Sequence, residues 1–339
     1  MKVLRTQGDG LDNLTIDEIP EPRPASGEVL VKIKAVALNY RDLLVINGVG
    51  GWKPGAPRIP GSDGVGVVAA VGANVSRVEV GDRVAGIFLP KWLGGELTAE
   101  KYVTPLGGAA ADGVLAEFVI FAEDSVVKIP ANLTDEEAAA LPVAAVTAWH
   151  AVARRSQVGS GETVLIEGTG GVSLFALQFV AALGGSAIVT SSSDEKLEKA
   201  RKLGAVATVN YKRKPDWAAE VLALTDGKGV DHVIEVVGGE NLNQALKAVK
   251  LSGSISFIGL MAGLSAPIKT YEFVTKNIRL HGIETGSREM FEEMNRFIES
   301  HRLRPVIDRV FRFDETRKAL KYLESGSHFG KVVVRISEQ

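Results

Sequence analysis

The chain has 339 residues, a net charge of −2 and no cysteine, and at about 100–200 residues per domain this length predicts two domains. The charge argues against nucleic acid or an anionic membrane as a partner, because both need a basic surface. The lack of cysteine excludes disulfides, thiolate metal sites and cysteine nucleophiles.

The first 128 residues are rich in strand patterns. Residues 28–39 alternate and are β-branched, 64–72 and 81–88 are bounded by glycine, and Gly/Pro-rich loops separate the runs. One short helix is predicted at "YRDLLVI" (40–46). This part predicts a compact, mostly β unit.

The pattern changes at Thr134, which with Glu137 forms a capping box and opens a helix. Continuous apolar strands then alternate with helices, which predicts a parallel sheet covered on both faces. The predicted strands are Thr163–Glu167, Ser186–Thr190, Thr208–Asn210, 231–237 and 254–259, and the helices are 171–183, 194–203, 216–225 and 240–249. The last residues return to mixed texture, with a strand, two helices and a strand.

No secretory signal is predicted, because the N-terminal residues lack an apolar segment followed by a small-residue cleavage site. Residues 168–193 carry no charge, but glycines interrupt them and leave only 172–183 as helix. That helix is shorter than the roughly 20 residues that a membrane span needs. We therefore expect a cytoplasmic protein without a membrane partner.

A glycine-rich turn follows the strand that ends at Glu167. In a strand–turn–helix context, Gly168 allows the tight turn, Gly170 lets the backbone approach a pyrophosphate, and the helix start attracts that anion. Ser173 replaces the usual third glycine or alanine and is small enough to be tolerated, with a hydroxyl able to bond back to the helix backbone. The alternative is a plain tight turn that binds nothing. The predicted pyrophosphate loop is Gly168, Thr169, Gly170, Gly171 and Val172.

The next strand tip indicates which dinucleotide binds. An acidic residue about 20 positions after the glycines is the usual mark of NAD(H), but this strand ends at Thr190 and continues with Ser191 and Ser192. Serines can donate to a 2′-phosphate, and Lys196 adds a positive charge. Asp194 argues for NAD(H), although the first turn of a helix favours an acid anyway. The sequence therefore favours NADP(H) as the cofactor.

These parts, in this order, resemble the zinc-independent branch of the medium-chain dehydrogenase/reductase superfamily, which includes quinone reductases. The motifs that carry the resemblance are "LNYRDLL", "LPVAAVTAW", the glycine-rich loop and "HFGKVVV". The resemblance covers nearly the whole chain. It implies a doubly wound Rossmann domain over residues 129–267 and a mostly β, GroES-like catalytic domain built from both chain ends, 1–128 and 268–339.

The resemblance also implies roles for single residues. Thr147 would lie near the nicotinamide, and Tyr211 would contact the 2′-phosphate. Val237 and Ile258 would line the cofactor crevice, and Phe329 would close over the nicotinamide end. A surface position for Tyr211 and a purely core role for Val237 and Ile258 are the alternatives.

Zinc-containing members of the superfamily have cysteine, histidine and cysteine ligands where this chain has Asn39, Ser62 and Val143. Amide and hydroxyl groups are poor zinc ligands and valine has no donor atom, so the resemblance implies no metal. Without a Lewis acid, substrates that accept hydride readily, such as quinones and activated alkenes, become more plausible than alcohols.

The candidate catalytic groups are Asn39, Tyr40, Asp42 and Ser62. Tyr40 could donate a proton or hydrogen bond to a developing oxyanion and Asn39 a hydrogen bond. Asp42 could instead hold its loop, and solvent could supply the proton. Arg288 and Lys331 are further candidates near the cofactor phosphates, or plain surface charges.

We thus expect an NADP(H)-dependent reductase of a quinone or α,β-unsaturated carbonyl, acting on a small-molecule substrate. A zinc-free alcohol/ketone dehydrogenase of the same superfamily is the alternative, and a non-catalytic NADPH-binding protein is the alternative from another class. A homodimer is expected only because dimers are the commonest closed assembly.

Overall fold

The computed structural model describes residues 1–337 of the chain. Its strands are, in chain order, β1 (Lys2–Arg5), β2 (Thr15–Glu18), β3 (Glu28–Ala37), β4 (Asp63–Val71), β5 (Arg83–Gly86), β6 (Phe118–Ala122), β7 (Val126–Lys128), β8 (Thr163–Glu167), β9 (Ser186–Ser191), β10 (Ala205–Asn210), β11 (Val230–Glu235), β12 (Val249–Phe257), β13 (Arg279–Gly282), β14 (Ile307–Arg312) and β15 (Lys331–Arg335).

The α-helices are α1 (Tyr40–Ile46), α2 (Asp135–Ala139), α3 (Val146–Trp149), α4 (Gly171–Ala182), α5 (Asp194–Lys202), α6 (Trp217–Leu224), α7 (Leu242–Ala248), α8 (Thr270–Thr275), α9 (Arg288–Ser300) and α10 (Thr316–Glu324). Stretches of π-helix flank α3 at Leu141–Ala145 and His150–Arg155. Among residues 1–337, no helix combines the length and apolar character needed to cross a membrane.

The chain folds into two compact units. Unit 1 comprises Met1–Val146 and the chain from Gly286 onward, and unit 2 comprises Thr147–Thr285. These limits fall later than the predicted domain limits at 129 and 267. The later second limit has a simple cause, because β13 pairs in parallel with β12 and so completes the sheet of unit 2.

Unit 1 is the predicted mostly β domain built from both chain ends. Its large sheet has the order β14-β15-β3-β4-β5-β7, with β6 also paired to β3. The C-terminal strand β15 pairs antiparallel with β3, which is how the returning segment joins the N-terminal one. The predicted capping box opens α2, where Thr134 Oγ1 accepts from the Glu137 N–H at 3.2 Å and Glu137 Oε2 accepts from the Thr134 N–H at 2.9 Å.

Unit 2 contains a six-stranded sheet in the order β10-β9-β8-β11-β12-β13, and every pairing in it is parallel. This is the doubly wound Rossmann order, so the predicted α/β fold is confirmed. The order reverses between β8 and β11, and ligands of such sheets bind beyond the carboxyl ends of the strands at this point. Helices cover both faces of the sheet, so side chains that point to either face are buried. The strands accordingly carry continuous apolar runs, such as the fully buried Val164–Ile166.

Candidate functional site

The glycine-rich turn between β8 and α4 has the shape of an anion site. Gly168 has a φ of +73°, a conformation that favours glycine over residues with a Cβ. Gly170 is the N-cap of α4, and no side chain of the described residues caps the helix there. A Cβ built on Gly170 would meet no atom within 4 Å, so the space above this turn is open. The first N–H groups of α4 therefore fit the pyrophosphate of a dinucleotide.

Ser173 occupies the third position of the glycine pattern and makes a different contact from the predicted one. Its hydroxyl donates to the backbone oxygen of Glu167 at 2.7 Å rather than to the helix backbone. The side chain is buried and small enough for α4 to pack on β8. The hydroxyl thus fastens the start of α4 to the end of β8.

The tip of β9 carries the predicted 2′-phosphate residues. Ser191 is buried as the last strand residue, and Lys196 lies half-buried in the first turn of α5. Asp194, the residue that argues for NAD(H), is already engaged: its Oδ1 accepts from Asn210 Nδ2 at 2.7 Å and its Oδ2 forms an ion pair with Arg213. The carboxylate that would otherwise repel a 2′-phosphate is therefore neutralised.

Tyr211 follows β10 and lies beside this tip. Its N–H donates to the backbone oxygen of Ser191 at 3.1 Å, and 39% of the residue is exposed. Ser192 is half-buried. In the same unit, Thr147 is buried, and its Oγ1 has no hydrogen-bond partner within residues 1–337. Ser192 and Tyr211 are therefore accessible to a ligand, whereas Thr147 is enclosed by the protein.

The loops after β11 and β12 are joined through Glu235. Its carboxylate accepts from the Val237 N–H at 3.1 Å, and its backbone oxygen accepts from the Ile258 N–H at 2.9 Å. Val237 and Ile258, the two predicted crevice residues, are both half-buried beyond the carboxyl ends of neighbouring strands. The structure therefore brings them together at the edge of the sheet where the glycine-rich turn lies.

In unit 1, a buried ring of hydrogen bonds, here called the Lys331 ring, joins Lys331, Asn39, Ser62 and Asp63. Lys331 Nζ donates to Asn39 Oδ1 at 2.6 Å, and Asn39 Nδ2 donates to Ser62 Oγ at 3.4 Å. Ser62 Oγ donates to Asp63 Oδ1 at 3.1 Å, and Asp63 Oδ2 lies 3.8 Å from Lys331 Nζ. The ring places a cation among the residues that the sequence analysis aligned with zinc ligands.

Burial and neighbouring charges act on the ionisable groups of the ring. Lys331 Nζ also donates to the Leu38 backbone oxygen at 2.7 Å, so it makes two hydrogen bonds, and the Asp63 carboxylate adds an ion pair at 3.8 Å. Burial lowers the pKa of Lys331, and the charges of Asp63 and Asp42 oppose that change. Burial raises the pKa of Asp63, and the charge of Lys331 opposes the rise.

Asp42 lies beside the ring and holds the start of α1. Its Oδ2 accepts from the Asn39 N–H at 2.8 Å, and Asn39 and Asp42 together form a capping box. The side chain is fully buried, and burial raises its pKa to about 6 against the opposing charge of Arg41. These contacts agree with the loop-holding alternative that the sequence leaves open for Asp42.

The remaining predicted residues of unit 1 differ in exposure. Tyr40 is the first residue of α1 and is 41% exposed, so its side chain is open to a ligand. Phe329 is 7% exposed, and its N–H donates to Asp308 Oδ1 at 3.2 Å. Val143 donates its N–H to Asp63 Oδ2 at 3.3 Å, and its side chain packs on Phe88, Leu89 and Trp92.

Comparison with known proteins identifies the family. The profile of the family described as "Alcohol dehydrogenase GroES-like domain" matches residues 25–131, and the one described as "Zinc-binding dehydrogenase" matches residues 171–300. A zinc-type alcohol dehydrogenase-like protein of Schizosaccharomyces pombe is 42% identical, with 98% of each chain covered. The chain belongs to the medium-chain dehydrogenase/reductase superfamily.

Two solved members of this superfamily share the fold over their whole length. The crystal structure of an NAD-dependent alcohol dehydrogenase superimposes with a TM-score of 0.89 at 32% identity, covering 99% of this chain and 100% of the other. A mycobacterial protein in complex with NADPH superimposes with a TM-score of 0.83 at 26% identity, with the same coverage. The chain is therefore an oxidoreductase of this superfamily.

The matching family profile and the similar S. pombe protein both have zinc in their names. The donor groups of unit 1 nevertheless do not fit a zinc ion. Asn39 Oδ1 already accepts from the Lys331 ammonium, Ser62 donates its proton to Asp63, and Val143 offers only an N–H. Structural and catalytic zinc sites use thiolate, imidazole and carboxylate groups. Within residues 1–337, no three such side chains cluster as a metal ion would require.

The sequence predicts Lys331 and Arg288 either near the cofactor phosphates or as plain surface charges, and Arg213 is not among its candidates. Lys331 lies 4% exposed inside the ring, and Arg288 pairs with Asp124 at 2.8 Å on the surface of unit 1. Arg213 stands in the run "YKRK", so the basic run after Tyr211 was the available signal. Lys331 lies in the motif "HFGKVVV", but no local pattern reveals its contact with Asn39, because the two residues are 292 positions apart.

Proposed function

We propose that this oxidoreductase uses NADP(H), works without zinc and transfers a hydride to a quinone or an α,β-unsaturated carbonyl compound. The observation that carries the proposal is the Lys331 ring. A buried lysine, with hydrogen bonds to the Leu38 and Asn39 oxygens and an ion pair with Asp63, stands where a zinc ion would need ligands, and two cations at this spacing would repel each other.

The choice of NADP(H) is supported by the tip of β9. Ser191 and Ser192 end the strand without a carboxylate, and Lys196 follows in the first turn of α5. Two acidic residues stand in the first turn of α5, and each has a basic partner: Asp194 pairs with Arg213, and Glu195 pairs with Lys199. A 2′-phosphate carries up to two negative charges and gains from such a basic, carboxylate-poor surface. The similar proteins include both an NAD-dependent enzyme and an NADPH complex.

The bound nicotinamide supplies the hydride, and the residues of this chain bind and orient the reactants. The N–H groups at the start of α4 would hold the pyrophosphate, and Thr147, a buried residue of the same unit whose Oγ1 has no partner within residues 1–337, is our candidate for a contact with the nicotinamide end. Lys331 polarises the Asn39 amide through Oδ1, which strengthens Nδ2–H as a donor. We assign Asn39 and Tyr40 as donors to the developing oxyanion of the substrate.

A zinc-free alcohol/ketone dehydrogenase is the second candidate, because two of the similar proteins carry alcohol dehydrogenase names. The same cofactor site and the same donors Asn39 and Tyr40 would serve ketone reduction. The two candidates differ in how much activation the substrate carbonyl needs. Without a metal, ketone reduction depends wholly on hydrogen bonds, whereas a conjugated acceptor takes hydride at carbon with less help.

The test measures turnover with NADPH and NADH against quinones, enones, ketones and alcohols, before and after dialysis against a strong zinc chelator. We expect oxidation of NADPH by a quinone or enone, at a rate that the chelator leaves unchanged. Faster turnover of alcohols or ketones would favour the second candidate, and chelator-sensitive activity with stoichiometric zinc would contradict the zinc-free mechanism. Tight binding of NADPH without turnover of any acceptor would indicate a non-catalytic cofactor-binding protein.

We also propose a cytoplasmic homodimer, which rests on the sequence expectations given above. Sedimentation of the purified full chain tests the assembly, and fractionation of cells that express it tests the location.

A further inference from the structure

The two central strands of the unit 2 sheet both end in a buried glutamate. β8 ends at Glu167 and β11 at Glu235, and the two strands pair side by side. Glu167 is 1% exposed and Glu235 is 0% exposed. They lie where the strand order reverses, which is the place that receives a cofactor in doubly wound sheets. The proposed reaction uses neither side chain.

Only half of the oxygen atoms in this carboxyl pair have a donor. Glu235 Oε1 accepts from the Val237 and Gly238 N–H groups at 3.1 and 2.7 Å and from Asn241 Nδ2 at 3.0 Å. Glu167 Oε2 accepts from Asn241 Nδ2 at 2.8 Å. Glu167 Oε1 and Glu235 Oε2 are buried without a hydrogen-bond partner within residues 1–337. One proton between these two oxygens would satisfy both of them.

Neighbouring elements do not neutralise the pair with a cation. β9 and α4 contain no ionisable residue. The charged groups on β11, β12 and α7 are occupied elsewhere: Lys250 pairs with Asp231, Lys247 pairs with Asp216, and His232 contacts Glu162. Glu240, between β11 and α7, is exposed. Burial raises the pKa of Glu167 well above its usual range, and the charge of Glu235 adds to the rise.

We propose that Glu167 and Glu235 share one proton, and that this proton holds the glycine-rich turn and the loop after β11 in the geometry that receives the cofactor. The coupling to cofactor rests on the proposed binding of NADP(H) by unit 2. Glu235 Oε1 accepts from three donors and Glu167 Oε2 from one, so we place the shared proton on Glu167. Both act as positioning residues, since their contacts are to the loops.

The contacts of the pair explain the coupling. Glu167 directly precedes Gly168, and its backbone oxygen receives the Ser173 hydroxyl. Glu235 holds Val237 through its carboxylate and Ile258 through its backbone oxygen. Loss of the shared proton would leave two carboxylates facing each other, which would push the turn and the loop apart. It would also add a negative charge beneath an anionic pyrophosphate.

The first experiment measures the shared proton without cofactor. The folded chain keeps a proton that the unfolded chain releases above about pH 4.5, so its stability falls as the pH rises to the folded pKa. Glu167→Gln replaces the O–H with an N–H donor and has no proton to lose. Urea unfolding is measured from about pH 5 to about pH 9. The ratio of the folding equilibrium constant of E167Q to that of wild type should rise by up to about tenfold per pH unit.

Matched variants separate the proton from general effects. Glu240→Gln removes an exposed carboxyl from the same region and should follow the wild-type pH dependence. Glu235→Gln also places an amide donor between the two side chains, so it keeps the test open if E167Q folds poorly. In infrared difference spectra at neutral pH, E167Q should lose one protonated-carboxyl band relative to wild type, and E240Q should lose none.

The second experiment measures the dissociation constant of NADPH across the same pH range by fluorescence. The ratio of the wild-type to the E167Q constant cancels the titration of NADPH itself. We expect this ratio to rise with pH by up to about tenfold per unit where the pair ionises. A ratio of the two dissociation constants that stays constant across the pH range would overturn the coupling to cofactor. The same pH dependence of stability in wild type and E167Q, with no protonated-carboxyl band lost in E167Q, would overturn the shared proton. Absence of NADPH binding at every pH would refute the proposed cofactor, while the stability and infrared results would still decide the proton.

Discussion

Replacing Lys331 with methionine removes the buried cation of the Lys331 ring while keeping an unbranched side chain of similar length. The substitution leaves the Leu38 and Asn39 oxygens without their donor, at 2.7 and 2.6 Å, and leaves Asp63 without its cation. Breaking a buried ion pair by removing one partner costs about 3–5 kcal/mol, because the other charge stays buried. We therefore expect K331M to lower the free energy of unfolding by about 3–5 kcal/mol at neutral pH.

This loss should depend on pH in a defined direction. Burial already raises the pKa of Asp63 above 3.8, and without the Lys331 charge it rises further. The pKa of Asp63 is higher in the folded chain than in the unfolded chain. Its titration therefore leaves the free energy of unfolding unchanged below about pH 4 and lowers it as the pH rises. The difference between wild type and K331M should thus be smallest near pH 4 and increase towards neutrality.

The assay is denaturant unfolding followed by tryptophan fluorescence, with a double-mutant cycle. Asp63→Asn removes the opposing charge, so K331M and D63N together should cost about 1–3 kcal/mol less than the sum of the single losses. Lys318→Met is the control, because Lys318 pairs with Glu315 on the surface and should cost no more than about 1 kcal/mol. A loss below about 1 kcal/mol in K331M, or strict additivity in the cycle, would refute a charged and coupled ring.

Three further predictions concern the ligand-facing groups. Gly170→Val should raise the dissociation constant of NADPH at least about tenfold, because its side chain would occupy the open space above α4. The stability of the free protein should change little, since the added side chain meets no protein atom. An unchanged dissociation constant would contradict the cofactor site. Arg213→Ala should reduce the preference for NADPH over NADH by about tenfold, measured as the ratio of the two dissociation constants, whereas Lys212→Ala should change it less. Tyr40→Phe should lower kcat for the best acceptor by about tenfold to a hundredfold and leave the melting temperature unchanged, with Tyr271→Phe as the exposed control; an unchanged kcat would remove Tyr40 as a donor.

The sequence by itself determined the fold class and many of the elements. The predicted strand Thr163–Glu167 and helix 40–46 have the observed bounds, and helix α4 ends one residue before the predicted limit. These elements can be predicted from short stretches of sequence. Strands buried on both faces need continuous apolar runs, and helix starts favour a capping residue. The glycine-rich turn could be assigned for the same reason, since a positive φ at Gly168 demands one residue type.

The tertiary structure alone decided which distant side chains meet. β13 joins the sheet of unit 2 by pairing with β12, although its side chains are largely exposed and show no apolar run. Asn39 and Lys331 meet because β15 returns to pair with β3, and Glu167 and Glu235 meet because β8 and β11 are neighbours. Such pairs depend on strand order and register, which arise from the packing of the whole sheet rather than from any local pattern. The ionisation of the buried groups then follows from that packing, because burial and neighbouring charges shift it.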